Sequence, residues 1–207
     1  MEPNPQSMAQ VRSYLAESAE IKRLTADACA EAIAAAAGVI TEAFRTGGKL
    51  LICGNGGSAA DCQHMAAEFV SRLTKDFERP GLPAIALTTD TSFLTAYAND
   101  CGFEGVFARQ VQALGRPGDV LLGISTSGNS GNVIQAVELA RASGMRTVSL
   151  TGAGGRLPKL ADVAIAVPCD DTQHIQEAHL AVEHLLCLLV ERALFGRGQT
   201  PAAGARP

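Results

Sequence analysis

Apolar and polar positions alternate in two ways along this chain. From about Ser7 to Phe44 they follow a helical rhythm, and Ala28 to Ala37 is almost all Ala, Glu and Ile, residues of high helix propensity. Thr46-Gly-Gly48 stops that helix. Beyond it come short aliphatic runs at Lys49–Cys53, Ala84–Leu87, Val120–Ile124, Thr147–Leu150 and Val163–Val167. They are nearly continuous in hydrophobicity, which predicts strands covered on both faces. Helical patterns fall at Ala59–Leu73, Phe103–Leu114, Asn132–Ala142 and His174–Phe195. The alternation predicts an α/β fold with a doubly wound, five-stranded parallel sheet flanked by helices. Residues 1–46 read as an N-terminal helical segment, 47–195 as the α/β domain, and 196–207 as a disordered Gly/Pro/Ala-rich tail.

Two of the predicted strands end in small and hydroxyl residues and then open a helix. One is Lys49-Leu-Leu-Ile-Cys-Gly-Asn-Gly-Gly-Ser58, the other Asp119-Val-Leu-Leu-Gly-Ile-Ser-Thr-Ser-Gly-Asn-Ser130. Such a junction binds anions, because the free N–H groups of the first helical turn point at the ligand and the helix dipole favours negative charge. Neither loop has the Gly-Lys-Ser/Thr ending of a nucleoside-triphosphate P-loop. The second therefore predicts a phosphate monoester rather than ATP. If the strand order is 2-1-3-4-5, both loops open on the crevice where the connections diverge. Gly54-Asn-Gly-Gly-Ser-Ala59 also fits a loose dinucleotide fingerprint, but no acid stands suitably at the end of the next strand.

Composition narrows the partners. The net charge is -4, there are two Tyr and no Trp, and basic residues do not cluster, which argues against nucleic acid. The polar start, Met1-Glu-Pro-Asn-Pro-Gln-Ser-Met8, is not a signal peptide. The apolar run Ala178–Leu194 contains His179, Glu183, His184, Glu191 and Arg192, so it predicts no membrane span. The six cysteines are scattered without a Cys-x-x-Cys, and Cys53 and Cys187 lie in apolar runs. This pattern fits a reduced cytoplasm rather than a disulfide framework or thiolate zinc site.

Candidate chemistry lies on two helices. His64 and Glu68 are four residues apart, hence on one face of the helix that starts at the first loop. Such a pair can bind a divalent metal, share proton transfer, or simply be a solvated ion pair. The last helix carries Gln173, His174, Gln176, Glu177, His179, Glu183 and His184. Periodicity alone does not choose among them: His179 and Glu183 repeat the His-x-x-x-Glu spacing, while Gln176 and His184 lie within about a quarter turn of each other. Asn99-Asp100, after a Thr-rich segment, reads by itself as a turn.

Taken together, Cys53-Gly-Asn-Gly-Gly-Ser-Ala-Ala-Asp-Cys-Gln-His-Met-Ala-Ala-Glu68, Arg79-Pro-Gly-Leu-Pro83, Ala98-Asn-Asp100, Gly123-Ile-Ser-Thr-Ser-Gly-Asn-Ser130 and Ile175-Gln-Glu-Ala-His179 resemble the sedoheptulose 7-phosphate isomerase (phosphoheptose isomerase) family of SIS, or sugar isomerase, domains. The resemblance runs from about Leu24 to Phe195. It implies that Ser125, Thr126, Ser127 and Ser130 hold the sugar phosphate. Asn55, Gly56 and Gly57 would line the sugar, Ser58 would lie near the phosphate, and Asn99 and Asp100 would meet substrate hydroxyls. His64, Glu68, Gln176 and His184 would surround one zinc ion per subunit, with Glu68 and His184 as the acid/base pair. That choice leaves His179 and Glu183 as a decoy facing a subunit contact or solvent. The resemblance further implies a cytoplasmic homotetramer packed through its N-terminal helices. The alternative is a non-catalytic SIS adaptor that binds the bacterial replication initiator; those paralogues lack counterparts of Glu68 and His184, and this chain has both.

Overall fold

The computed structural model describes residues 4–75 and 77–196. From residue 197 onward, the expected disordered tail lies outside the described residues. The chain begins with α1 (Pro5–Arg45), capped by the Asn4 side chain accepting the Gln6 N–H. Then follow β1 (Leu50–Gly54), α2 (Gly57–Val70), β2 (Ala84–Ala86), α3 (Thr91–Cys101), α4 (Val106–Leu114), β3 (Val120–Ser125), α5 (Gly131–Ala142), β4 (Arg146–Thr151), β5 (Val163–Ala166) and α6 (Thr172–Phe195). The five strands are parallel in the order β2-β1-β3-β4-β5.

This is the doubly wound order in which the crevice opens between β1 and β3. Register brings Gly54 of β1 opposite Ile124 of β3, so both Gly/Ser loops leave the sheet side by side. Successive residues of β1 point to opposite faces. Leu50 and Ile52 join Ile33, Ile40, Met65, Phe69 and Leu186 under α1, α2 and α6. Leu51 and Cys53 join Leu121, Val133 and Val137 under α4 and α5. Cys53 and Cys187 are buried as small hydrophobes, and burial holds both thiols well above the ordinary range.

By length and composition α1 could cross a membrane, but in this fold its second half packs on α6 and β5. Cys29, Ile33, Ala36, Ala37, Ile40 and Ala43 are core residues. The helix is therefore part of the domain's own packing as well as an N-terminal extension.

Three local expectations are corrected. Asn99 and Asp100 lie on α3, not in a turn; Asp90 caps this helix by accepting the Phe93 N–H at 3.0 Å, and Gly102 ends it. The helix has no buried residue, so its hydrophobic period was faint. The expected helix from Phe103 starts with a 3-10 turn, Phe103–Gly105, and becomes α-helical at Val106. Finally, α2 stops at Val70 rather than Leu73, because Ser71 leaves helical geometry at φ -93°, ψ -94°.

Candidate active site

The loop after β3 is built to present hydroxyls. Ser125 is buried at the strand end, with its Oγ 2.9 Å from that of Ser130 and 3.4 Å from that of Ser127. The Ser127 Oγ accepts the Asn129 N–H at 3.2 Å, which folds Thr126–Asn129 into a tight arch. Ser130 stands at the N-cap of α5 but makes no side-chain cap bond, so its hydroxyl stays with the loop. The first-turn N–H groups of α5 have no intrahelical acceptors and carry the positive end of the dipole. The Glu104 carboxylate lies against Gly131, where a Cβ would meet it.

The loop after β1 is fastened to this one. Asn55 and Asn132 exchange two amide bonds of 2.8 and 2.9 Å across the crevice. Gly56 and Gly57 are exposed on the loop surface and Ser58 is buried at the start of α2. Gly57 is required by contact, since a Cβ there would run into the Gln176 carboxamide of α6.

Gln176 brings α6 to the first loop, and His184 brings it to α2. The Nε2 atoms of His64 and His184 face each other at 2.8 Å, and Glu68 Oε1 is 3.8 Å from the same His64 nitrogen. Both imidazoles are exposed, while Glu68 is half-buried with its Oε2 buried and unpartnered. Gln176 Nε2 donates to Asp61 Oδ2 at 3.1 Å, leaving the amide oxygen as the free end. Asp61 was not picked out from the sequence. It lies one helical turn before the His64–Glu68 pair, on the buried side of α2, and burial raises its pKa against the opposing pull of Gln176 and His64.

This donor set fits a cation. Two imidazole nitrogens aimed at one another satisfy each other only through a shared proton or metal, and a buried carboxylate oxygen without a partner lies beside them. Among the described residues no three His, Cys, Asp or Glu side chains form a ready metal cage; the fourth member of this set is an amide.

The second His-x-x-x-Glu pair behaves differently from expectation. His179 and Glu183 face neither solvent nor a subunit contact but are fully buried inside the chain. Neither ring nitrogen of His179 nor either carboxyl oxygen of Glu183 makes a well-formed hydrogen bond. Burial drives the His179 pKa down to about 4, opposed by the backbone of Thr151. It drives Glu183 up to about 9, with help from the Asp61 charge. Both groups are thus neutral near pH 7. His174 is occupied elsewhere, packing on Tyr14 of α1 with ring centroids 4.5 Å apart.

Among the described residues, no side-chain hydrogen bond links these groups to Asn99 or Asp100. They are exposed on the last turn of α3, and Asn99 Nδ2 donates to Asp100 Oδ1 at 2.8 Å.

The family model for the SIS domain matches residues 13–152. A phosphoheptose isomerase of a Roseiflexus species is 59% identical over 86% of this chain and 90% of that protein. The phosphoheptose isomerase of Rhodospirillum rubrum is 58% identical over 80% of this chain and 88% of its own length. Among solved structures, the phosphoheptose isomerase of Neisseria gonorrhoeae superimposes with a TM-score of 0.83 at 45% identity, covering 89% of this chain and 98% of that one. The Francisella tularensis phosphoheptose isomerase gives 0.85 at 41% identity, covering 90% and 98%.

Proposed function

The chain belongs to the phosphoheptose isomerase family of SIS domains and is an aldose–ketose isomerase, and from that premise we propose how its residues convert sedoheptulose 7-phosphate to D-glycero-D-manno-heptose 7-phosphate. The observation that carries the reading is the convergence of Glu68 and His64 of α2 with His184 of α6, the helix whose Gln176 lies against Gly57 of the first Gly/Ser loop. The adaptor alternative gains no support, since the relatives named above are isomerases and Glu68 and His184 are both in place.

The 7-phosphate sits on Ser125, Thr126, Ser127 and Ser130, at the N-terminus of α5, with Ser58 near it. Holding this remote end turns binding energy into orientation of C1 and C2. Asn55, Gly56 and Gly57 line the chain of the sugar. Asn99 and Asp100 supply polar groups for its hydroxyls, and Gln176 adds another from α6.

Ketose and aldose differ by one proton moved from C1 to C2 and one moved between their oxygens. Glu68 takes the C1 proton, an enediol forms, and the same carboxyl returns a proton at C2. His184 opens the ring and carries the proton between the two oxygens. Glu68 Oε2 is buried without a hydrogen-bond partner, so this oxygen is the one not already engaged by a protein donor. His64, Glu68, Gln176 and His184 would hold a zinc ion, which supplies polarisation of the carbonyl and stabilisation of enediolate charge when bound. Asp61 turns the Gln176 amide so that its oxygen is the end left for that role.

The enzyme works in the cytoplasm as a homotetramer. Met8, Val11 and Leu15 fall on one face of α1 and are exposed, which is the pattern of a helix awaiting a partner helix from a second copy. Leu180 and Leu185 of α6 are exposed as well. The deciding experiment is turnover of sedoheptulose 7-phosphate by the purified protein before and after chelation, with native mass measured in parallel. Formation of the aldose phosphate supports the proposed substrate, and its absence with metal-replete protein overturns it.

A further inference from the structure

The segment Arg79-Pro-Gly-Leu-Pro83 takes no part in the chemistry above, yet it is bonded closely to it. It leads the chain from the end of α2 back to β2. The Arg79 side chain is only 1% exposed. Its Nε donates to Glu191 Oε2 at 2.6 Å, and its Nη1 to the carbonyls of Phe69 and Pro80 at 2.7 and 3.0 Å. Its Nη2 donates to the main-chain carbonyl of Glu68 at 2.8 Å. The last carbonyls of a helix have no intrahelical donors, and here the planar guanidinium fork meets two of them. Leu82 N–H adds a bond to the Phe69 carbonyl at 3.0 Å. Gly81 permits the approach, since a Cβ there would stand 2.8 Å from the Val70 carbonyl oxygen.

Glu191 lies on α6, about two turns beyond His184. One guanidinium therefore ties the backbone of Glu68, on α2, to the helix that carries His184. We infer that Arg79, anchored by Glu191, is a positioning residue of the isomerase: it sets the end of α2 against α6 and so the spacing between Glu68 and His184. It touches no substrate. Two buried charges cost desolvation that a well-packed apolar pair would not. What the apolar pair lacks is a directed hold on the carbonyl of the base itself. A displacement of about 1 Å at a reacting group costs about 10²-fold in rate. The inference rests on the reading of Glu68 as the base.

The test compares Arg79→Lys, Arg79→Met, the double variant Arg79→Met/Glu191→Leu, and Glu68→Gln, in kcat, KM and thermal midpoint. Arg79→Lys retains a charge opposite Glu191 but loses the fork, and its kcat falls roughly 10–100-fold while KM moves less than about threefold. Arg79→Met leaves Glu191 buried and unpaired, which threatens the fold. The double variant removes both charges; it regains a thermal midpoint near wild type while kcat stays low. A double variant with wild-type stability and wild-type kcat overturns the inference, because the pair is then only structural. Full activity in Arg79→Lys with an inactive Glu68→Gln also overturns it and leaves the base assignment standing. An active Glu68→Gln removes the base assignment, and the inference with it.

Discussion

On α2 His64 is exposed and Glu68 half-buried, whereas on α6 His179 and Glu183, with the same spacing, are sealed inside the domain. Identical spacing guarantees only that two side chains share a helical face. What that face meets depends on how the helix is rolled on the sheet. On α6 the direction of Gln176 and His184 differs from that of His179 and Glu183 by roughly a quarter turn. That rotation separates an imidazole 2.8 Å from its counterpart on α2 from a buried imidazole with no side-chain hydrogen bond. The chemistry diverges accordingly. The buried pair is neutral, with the acid raised to about 9 and the imidazole lowered to about 4. Groups sealed from the substrate do not exchange protons with a sugar.

The most severe way to break this comparison is to disable the open pair's catalytic partners. Glu68→Gln and His184→Gln should each lose about 10²–10⁴-fold in kcat with the fold intact by circular dichroism. Near-wild-type turnover in either would remove that residue from the mechanism. Metal content sharpens the contrast next. After desalting, His64→Ala and His184→Ala should lose stoichiometric zinc, while His179→Ala should retain it and show its damage as lowered thermal stability, since the side chain is buried. Zinc lost only in the His179 variant would reverse the assignment.

A smaller effect concerns the anion loop that distinguishes the open pair's surroundings. Ser125→Ala and Thr126→Ala should each weaken phosphate binding by about 1–3 kcal/mol in calorimetric titration. Unchanged affinity in both would move the anion site elsewhere.

The mildest test exploits the neutrality of the buried pair. In the unfolded chain Glu183 ionises near its ordinary 4.5, but in the fold it keeps its proton up to about 9. Between these values the folded state binds more protons than the unfolded state, so this group's contribution falls as pH rises. Glu183→Gln does not titrate and should gain on wild type from pH 5 to pH 8, by at most about 1.4 kcal/mol per pH unit. His179 acts in the opposite sense, its stability contribution falling as pH drops from 6.5 towards 4, and it cancels in the comparison because both proteins contain it. A difference between the two proteins that stays the same from pH 5 to pH 8 would show that Glu183 is ionised in the fold.

Much of the architecture was legible in local pattern. A continuous aliphatic run such as Val120–Ile124 has little choice but a two-sided strand, and an Ala-rich stretch such as Ala28–Ala37 is a helix before it packs against anything. The two Gly/Ser loops were equally plain, because the hydroxyl and glycine residues that make them are neighbours in the chain. α3 was missed for the converse reason: with no buried residue, it leaves almost no hydrophobic period to read.

The sequence by itself determined the strands, most of the helices and the two Gly/Ser loops, and through resemblance it proposed the set His64, Glu68, Gln176 and His184. Only the tertiary structure decided which His-x-x-x-Glu pair reaches the surface and which is buried. It also showed that Asp61 holds the Gln176 amide and that Arg79 spans from the Glu68 carbonyl to Glu191. Those relations join residues on different elements, up to 115 positions apart for Asp61 and Gln176. Helical period fixes angles within one helix. The roll of one helix against another comes from how their side chains interdigitate over the sheet, which no single stretch of sequence contains.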